Sequence, residues 1–245
     1  MKGNSIIRNP KSEIRNPPLI IAIDGPSGAG KTTLGRLLAR ELNLLYLDTG
    51  SMYRAVALAV LESGLEAANT EGVGALANSV DIDLIGDADN LKVTLNGRDV
   101  TEEIRSDEVT EMSSVISAIP AVRRAMVARQ RYLGQRGAVL NGRDIGTVVF
   151  PNAVVKFFLT ATADERAQRR FREERIQHPE VSLGETRAEM AERDQRDSTR
   201  SDSPLKIADD AIVIDSSGLS IEQVLDRMIS EVNRRLAQSQ DGGAK

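Results

Sequence analysis

Eight consecutive residues constrain this chain more than any other feature: Gly25-Pro26-Ser27-Gly28-Ala29-Gly30-Lys31-Thr32 fits G-x-x-x-x-G-K-[ST] at every fixed position. The surroundings fit as well. The apolar run Leu19 to Ile23 has the character of a buried parallel strand, and Leu34, Leu37, Leu38 and Leu42 follow at helical spacing. In a strand-turn-helix of this kind the glycines let successive N–H groups converge on one anion. The helix starting near Lys31 adds the positive end of its dipole. Lys31 is spaced to reach the β and γ phosphates of a nucleoside triphosphate, and the Thr32 hydroxyl, followed by Thr33, is the candidate Mg²⁺ ligand. The bland alternative is a ligand-free glycine turn. The motif names a triphosphate but not a reaction.

The rest of the chain reads as an α/β fold. Strand candidates at 19–23, 44–47, 138–140, 154–159 and 211–214 alternate with helical patterns, which predicts a five-stranded parallel sheet flanked by helices. Between Val80 and Arg105 the pattern changes to short alternation, with Asp89-Asn90 and Asn96-Gly97 as turns. That stretch predicts a small antiparallel β insert. A helix is expected from Asp107 to Ser117 and another opened by Pro120. Thr162 to Glu165 and Ser220 to Gln223 have the capping-box form, the second opening a helix with Leu225, Met228, Ile229 and Val232 inward. Residues 1–18 and 238–245 read as a disordered and a frayed tail around one domain at 19–237.

Composition excludes several classes. There is no Cys among 245 residues, so disulfides, thiolate metal sites and cysteine nucleophiles are ruled out. The one His, His178, sits beside Pro179 in a polar stretch and reads as a surface residue. A net charge of -4 gives no global basic field for nucleic acid, and no apolar run reaches membrane-spanning length. The expectation is a cytoplasmic protein, monomeric for want of an apolar interface stripe.

A triphosphate loop serves switches, motors and small-molecule kinases. No Asn-Lys-x-Asp motif marks a GTP switch, and the strand Ala138-Val139-Leu140 ends in Asn141 where a motor would carry an acid. A kinase acting on a phosphate-bearing acceptor needs cations not spent on ATP. Arg54 follows Asp48-Thr49-Gly50, Arg143 lies in Gly142-Arg143-Asp144 at a strand end, and Arg193, Arg196 and Arg200 lie in Glu192 to Arg200. On a helix Arg193, Asp197 and Arg200 would share one face. Each group also has a bland reading, as surface arginine, structural corner or salt-bridged solvated helix.

Four stretches in order resemble bacterial cytidylate kinases, from about Leu19 to Leu236. They are Asp24 to Lys31, Leu47-Asp48-Thr49-Gly50-Ser51-Met52-Tyr53-Arg54, Gly142-Arg143-Asp144-Ile145-Gly146-Thr147-Val148-Val149-Phe150-Pro151, and Glu192-Arg193-Asp194-Gln195-Arg196-Asp197. The resemblance implies a nucleoside monophosphate kinase fold with a core at 19–79, 106–164 and 179–237, the insert at 80–105 and a lid near 165–178. It implies transfer of the γ-phosphate of ATP, with Mg²⁺, to CMP or dCMP. It implies that Arg54, Arg143 and Arg200 hold the CMP phosphate, that Ser114, Arg123 and Asp144 read cytosine, and that Arg193 and Asp197 hold the ribose beside Thr49. Arg166, Arg169 and Arg170 are candidate lid arginines. Two departures stand out: Thr32-Thr33, where related enzymes often have Gly-Thr or Ser-Thr, and Asn141, where they often carry an acid. Kinases of UMP, shikimate or dephospho-coenzyme A, and a nucleotide-binding module without transfer activity, remain as alternatives.

Overall fold

The computed structural model describes residues 18–176 and 178–241; all but Pro18 of the expected N-terminal tail, and residues 242–245, lie outside them. The five-stranded parallel sheet is present. Its strands are β1 (Ile20–Asp24), β2 (Leu45–Asp48), β6 (Ala138–Gly142), β7 (Val155–Thr160) and β8 (Ile212–Asp215), in the order β2-β6-β1-β7-β8. Between β2 and β6 the chain forms a separate antiparallel sheet of β3 (Ile82–Ile85), β4 (Lys92–Leu95) and β5 (Arg98–Asp99). From β1 the chain leads to β2 at one edge of the large sheet, and from β7 to β8 at the other. The C-terminal ends of β1 and β7 therefore flank the crevice where open α/β sheets take their ligands.

The chain forms two compact units. One comprises residues 39–140 with Pro18 and Leu19, and the other residues 20–38 with the described residues of 141–241. In the first, α2 (Thr49–Ser63) packs on α4 (Asp107–Ile116), and α3 (Thr70–Ser79) on α5 (Pro120–Gly134). The cores meet through Met52, Val56 and Val60 of α2, Val109 and Ile116 of α4, and Val122 and Met126 of α5, all buried. Helix α3 has too thin an apolar stripe to be read from sequence, since it buries only Val73, Gly74 and Ala77. The small sheet packs on α2 through β4. Asn96 and Gly97 make its tight turn, with φ of 52° and 83°, the left-handed pair that a two-residue hairpin requires.

In the second unit β1 pairs β7, and β7 pairs β8, in parallel register. Ile21, Ile23, Phe157 and Leu159 are buried on these strands. The helices there are α1 (Lys31–Glu41, whose last turn belongs to the other unit), α6 (Ala163–Glu174), α7 (Leu183–Thr199) and α8 (Ile221–Asp241). Helix α8 buries Val224, Met228 and Val232, one residue per turn, while Leu225 and Ile229 are half-buried at the margin. It extends four residues into the tail expected at 238–245, as far as Asp241; the rest of that tail lies outside the described residues. Ser220 and Gln223 make the reciprocal capping box. Thr162 caps α6, but Glu165 does not reciprocate; its carboxylate accepts from the Gly218 N–H instead. A full capping box not expected from the sequence, Ser182 with Glu185, opens α7. Among the described residues no helix is long and apolar enough to cross a membrane.

Candidate active site

The phosphate loop leaves β1 at Asp24 and enters α1 at Lys31. Gly25 has φ 148°, and a Cβ there would stand 2.0 Å from the Leu159 carbonyl oxygen of β7. Gly28 has φ 73°, and a Cβ would press on the Arg166 backbone at 2.9 Å. These contacts explain glycine at both positions. We expect Gly25→Ala to cost at least about 1–3 kcal/mol of stability, read by denaturant titration; an unchanged midpoint would mean that the loop does not pack on β7 in this way.

Lys31 is buried, and its Nζ donates to the Pro26 carbonyl at 2.6 Å, across its own loop. Burial holds its ammonium well below the ordinary lysine range, and the charges of Arg143 and Arg193 push the same way, against Asp197 and Asp24. Thr32 is exposed on the first turn of α1, and its hydroxyl accepts from the buried Asn141 amide at 3.3 Å. Arg166 of α6 donates to the Ser27 carbonyl at 3.0 Å and to Asp194 at 2.6 Å, tying α6 and α7 to the loop.

Beside the loop lies a second charged group. Arg143, immediately after β6, donates through Nε to Asp197 of α7 at 2.7 Å. Arg200 places NH1 3.4 Å from the other Asp197 oxygen and NH2 3.8 Å from Asp144. Burial alone would raise the Asp197 carboxyl, but Arg143, Arg193 and Arg200 outweigh it and hold it below the usual range. The side chains of Arg143, Asp197, Arg200 and Asp144 are all at least four-fifths buried. The structure thus gathers Lys31, Arg143, Asp144, Arg193, Asp197 and Arg200 into one unit. Arg200 is the C-cap of α7: its N–H still bonds the Arg196 carbonyl, the chain after it turns extended with ψ 143°, and its Nε donates to the Ser203 carbonyl at 2.7 Å. It meets Asp197 three residues back, as the helical spacing leads one to expect.

The remaining candidates lie in the other unit. Thr49 is buried in the first turn of α2, which Asp48 caps by accepting from the Gly50 N–H. Arg54, on the same helix, and Ser114, on α4, are half-buried. Arg123 of α5 is 1% exposed, donates to the Ser117 carbonyl at 3.2 Å, and sits 5.6 Å from the Tyr53 ring centroid. Nothing in the sequence pattern marks Tyr53 as a support for this arginine. Of the lid candidates, Arg166 reaches the loop, whereas Arg169 bonds Ser216 and Arg170 bonds Glu174. His178 is 40% exposed at its side chain, in keeping with a surface residue.

Comparison with known proteins gives the family. The sequence model of the family described as cytidylate kinase matches residues 21–234. A cytidylate kinase of Citrifermentans bemidjiense is 46% identical over 232 residues, covering 94% of this chain and 100% of that protein. Those of Geobacter sulfurreducens and Syntrophotalea carbinolica are each 49% identical, over 218 and 221 residues, covering 89% and 90% of this chain and 94% of each relative. A phosphate loop beside an arginine-carboxylate net, together with similarity over nearly the whole chain, places this protein in the cytidylate kinase family of phosphotransferases.

Proposed function

We propose that this protein transfers the γ-phosphate of ATP to CMP or dCMP, giving ADP and CDP or dCDP. The observation that carries this reading is the net of Arg143, Asp197 and Arg200 beside Lys31: cations beyond those the loop needs for ATP, in the same compact unit. An acceptor phosphate is the anion that such a net would take. In the reaction an oxygen of the CMP phosphate attacks the γ-phosphorus, the bond from phosphorus to the β–γ bridging oxygen breaks, and ADP leaves with that electron pair. The attacking oxygen is already anionic near neutral pH and needs no base, which suits a chain without Cys and with His178 alone.

The work left to the protein is alignment and charge neutralisation. Gly25 to Thr33 hold the ATP phosphates, with Lys31 on the β and γ groups. Arg54, Arg143 and Arg200 hold the CMP phosphate. Ser114, Arg123 and Asp144 read the cytosine, and Arg193 and Asp197 hold the ribose beside Thr49. The donor set suits Mg²⁺ arriving with the nucleotide: the exposed Thr32 hydroxyl, already oriented by Asn141, offers it one neutral oxygen. Once bound, the ion would neutralise phosphate charge. The same reading takes the enzyme as a cytoplasmic monomer with ATP and CMP as its partners.

A coupled assay of ADP formation with CMP, dCMP, UMP, AMP, shikimate, dephospho-coenzyme A and no acceptor tests the proposal. Turnover with CMP and dCMP alone is the expected result. Turnover only with another acceptor would discard the cytosine roles, and ATP binding without any product would favour a regulatory module. In the same assay Arg200→Ala is expected to raise the KM for CMP by about 10- to 100-fold, the worth of a charge-assisted contact, and to spare ATP binding. An equal loss of ATP affinity would contradict its acceptor-side role.

A further inference from the structure

We propose that Asp24 is a positioning residue for phosphoryl transfer, a clamp that holds the Arg143-Asp144 turn in register with the strand that launches the phosphate loop. The inference rests on the proposed transfer to CMP, in which that turn serves the acceptor. Asp24 ends β1, and Gly25 opens the loop. The Asp24 Oδ1 accepts from the Ile145 N–H and its Oδ2 from the Gly146 N–H, both at 2.8 Å and both buried. Ile145 and Gly146 open the π-helical turn Ile145–Val149, which directly follows Arg143 and Asp144. A residue one step before the ATP loop therefore grips the backbone one step after the residues assigned to CMP.

The chemistry of the grip requires a carboxylate. Two converging N–H groups call for a side chain with two acceptor oxygens and no donor, and only an ionised Asp or Glu supplies that. An Asn of the same shape would set its NH₂ against one of the two N–H groups. The carboxylate is held against an opposing force. Burial raises its pKa to about 6; the Gly146 and Ile145 bonds oppose this, the Asp144 charge adds to it, and Lys31 opposes it. From β7, Lys156 lies against Gly146 with its alkyl chain, while its ammonium is engaged by the Pro151 carbonyl at 2.6 Å and Asp210 at 2.8 Å. A residue needed only to fill space at a strand end is better served by an apolar group, as Ile21 and Ile23 serve on the same strand.

The test is Asp24→Asn, assayed with ATP, Mg²⁺ and CMP at about pH 7.5, with ATP binding measured by calorimetry and folding by thermal midpoint. The expected result is a fall in kcat/KM for CMP on the order of 10- to 100-fold, with ATP affinity within about two-fold of wild type in a folded protein. Unchanged kcat/KM for CMP, or a loss that falls equally on ATP binding, would overturn the proposal. A second readout separates positioning from mere packing. The ratio of wild-type to Asp24→Asn kcat/KM cancels the ionisation of CMP itself. It is expected to shrink as pH falls from about 7.5 to about 5.5 and the wild-type carboxylate takes up its proton; a flat ratio would overturn the proposal. Should Asp24→Asn fail to fold, Gly146→Ala probes the other side of the clamp, because its Cβ would stand 3.3 Å from the Asp24 carboxylate and 3.0 Å from Lys156. It is expected to raise the KM for CMP more than that for ATP, and an equal change in both would count against the clamp. If wild type turns over another acceptor and not CMP, the functional reading fails, and the same comparison run on that acceptor still decides the role of Asp24.

Discussion

Replacing Lys31 with Met is expected to lower turnover on ATP and CMP by about 10²–10³-fold, with a thermal midpoint at pH 7 no lower than wild type. The two halves of this expectation have one cause. Lys31 is 7% exposed, and burial, with Arg143 and Arg193 beside it, holds its ammonium well below the ordinary lysine range. The folded state therefore binds this proton less readily than the unfolded chain does. Below the unfolded lysine value the charge works against folding, and that penalty disappears as pH rises toward it. Methionine has similar reach and no charge, so it removes the penalty while losing the one bond to the Pro26 carbonyl. Transfer loses the cation aimed at the β and γ phosphates, which the neighbouring arginines cannot replace from their own positions. The coupled assay and a thermal melt measure the two effects separately. Near-normal turnover would remove Lys31 from the mechanism, and a large fall in the melt would make it a structural residue.

Asp197→Ala is expected to cost about 3–5 kcal/mol of stability, the usual penalty for stranding buried charges, and to abolish CMP-dependent turnover. In a chain of this size that is a drop of roughly 10 °C in the thermal midpoint. The side chain of Asp197 is 11% exposed and meets Arg143, itself 17% exposed, and Arg200, 4% exposed. Alanine would leave two guanidinium groups buried with less anion to face, and would free both from the geometry in which they wait for the acceptor. The pH dependence has a definite sign. The Asp197 carboxyl is held below its ordinary value of 3.8, so its contribution is complete above that value and is lost as pH falls through the lowered one. Denaturant titration at pH 7 and near pH 3 should show the gap between wild type and variant closing in acid. A gap independent of pH would mean that the charge is not what stabilises.

Much of the fold and the site is legible in the order of residues alone, and the legible parts share a property: their determinants are neighbours in the chain. The phosphate loop is eight contiguous residues whose glycines, lysine and hydroxyl each have a local reason. The five strands are short stretches dominated by apolar residues, interrupted in β7 by Lys156, and the Asn96-Gly97 hairpin needs only the two residues that tolerate its backbone. Local pattern fails where a distant group competes. The capping box expected of Thr162 and Glu165 closes only halfway, because the Gly218 N–H, 53 residues away, takes the glutamate. Local pattern is also incomplete at Arg200, which meets Asp197 as the spacing leads one to expect but in addition caps the helix and bonds the Ser203 carbonyl.

By itself, then, the sequence determined the phosphate loop, the alternation of strands and helices, the small antiparallel insert, and a set of arginines beyond what ATP requires. Tertiary structure alone decided which of those charges meet. Asp24 grips the turn at Ile145 and Gly146 across 121 and 122 residues, Asn141 reaches Thr32 across 109, and Arg143 finds Asp197 across 54. Hydrophobic burial brings the strands together by area, with no regard to which polar group tops each one. The polar partners are therefore set by strand order and loop geometry, which residue identity along the chain does not encode pair by pair.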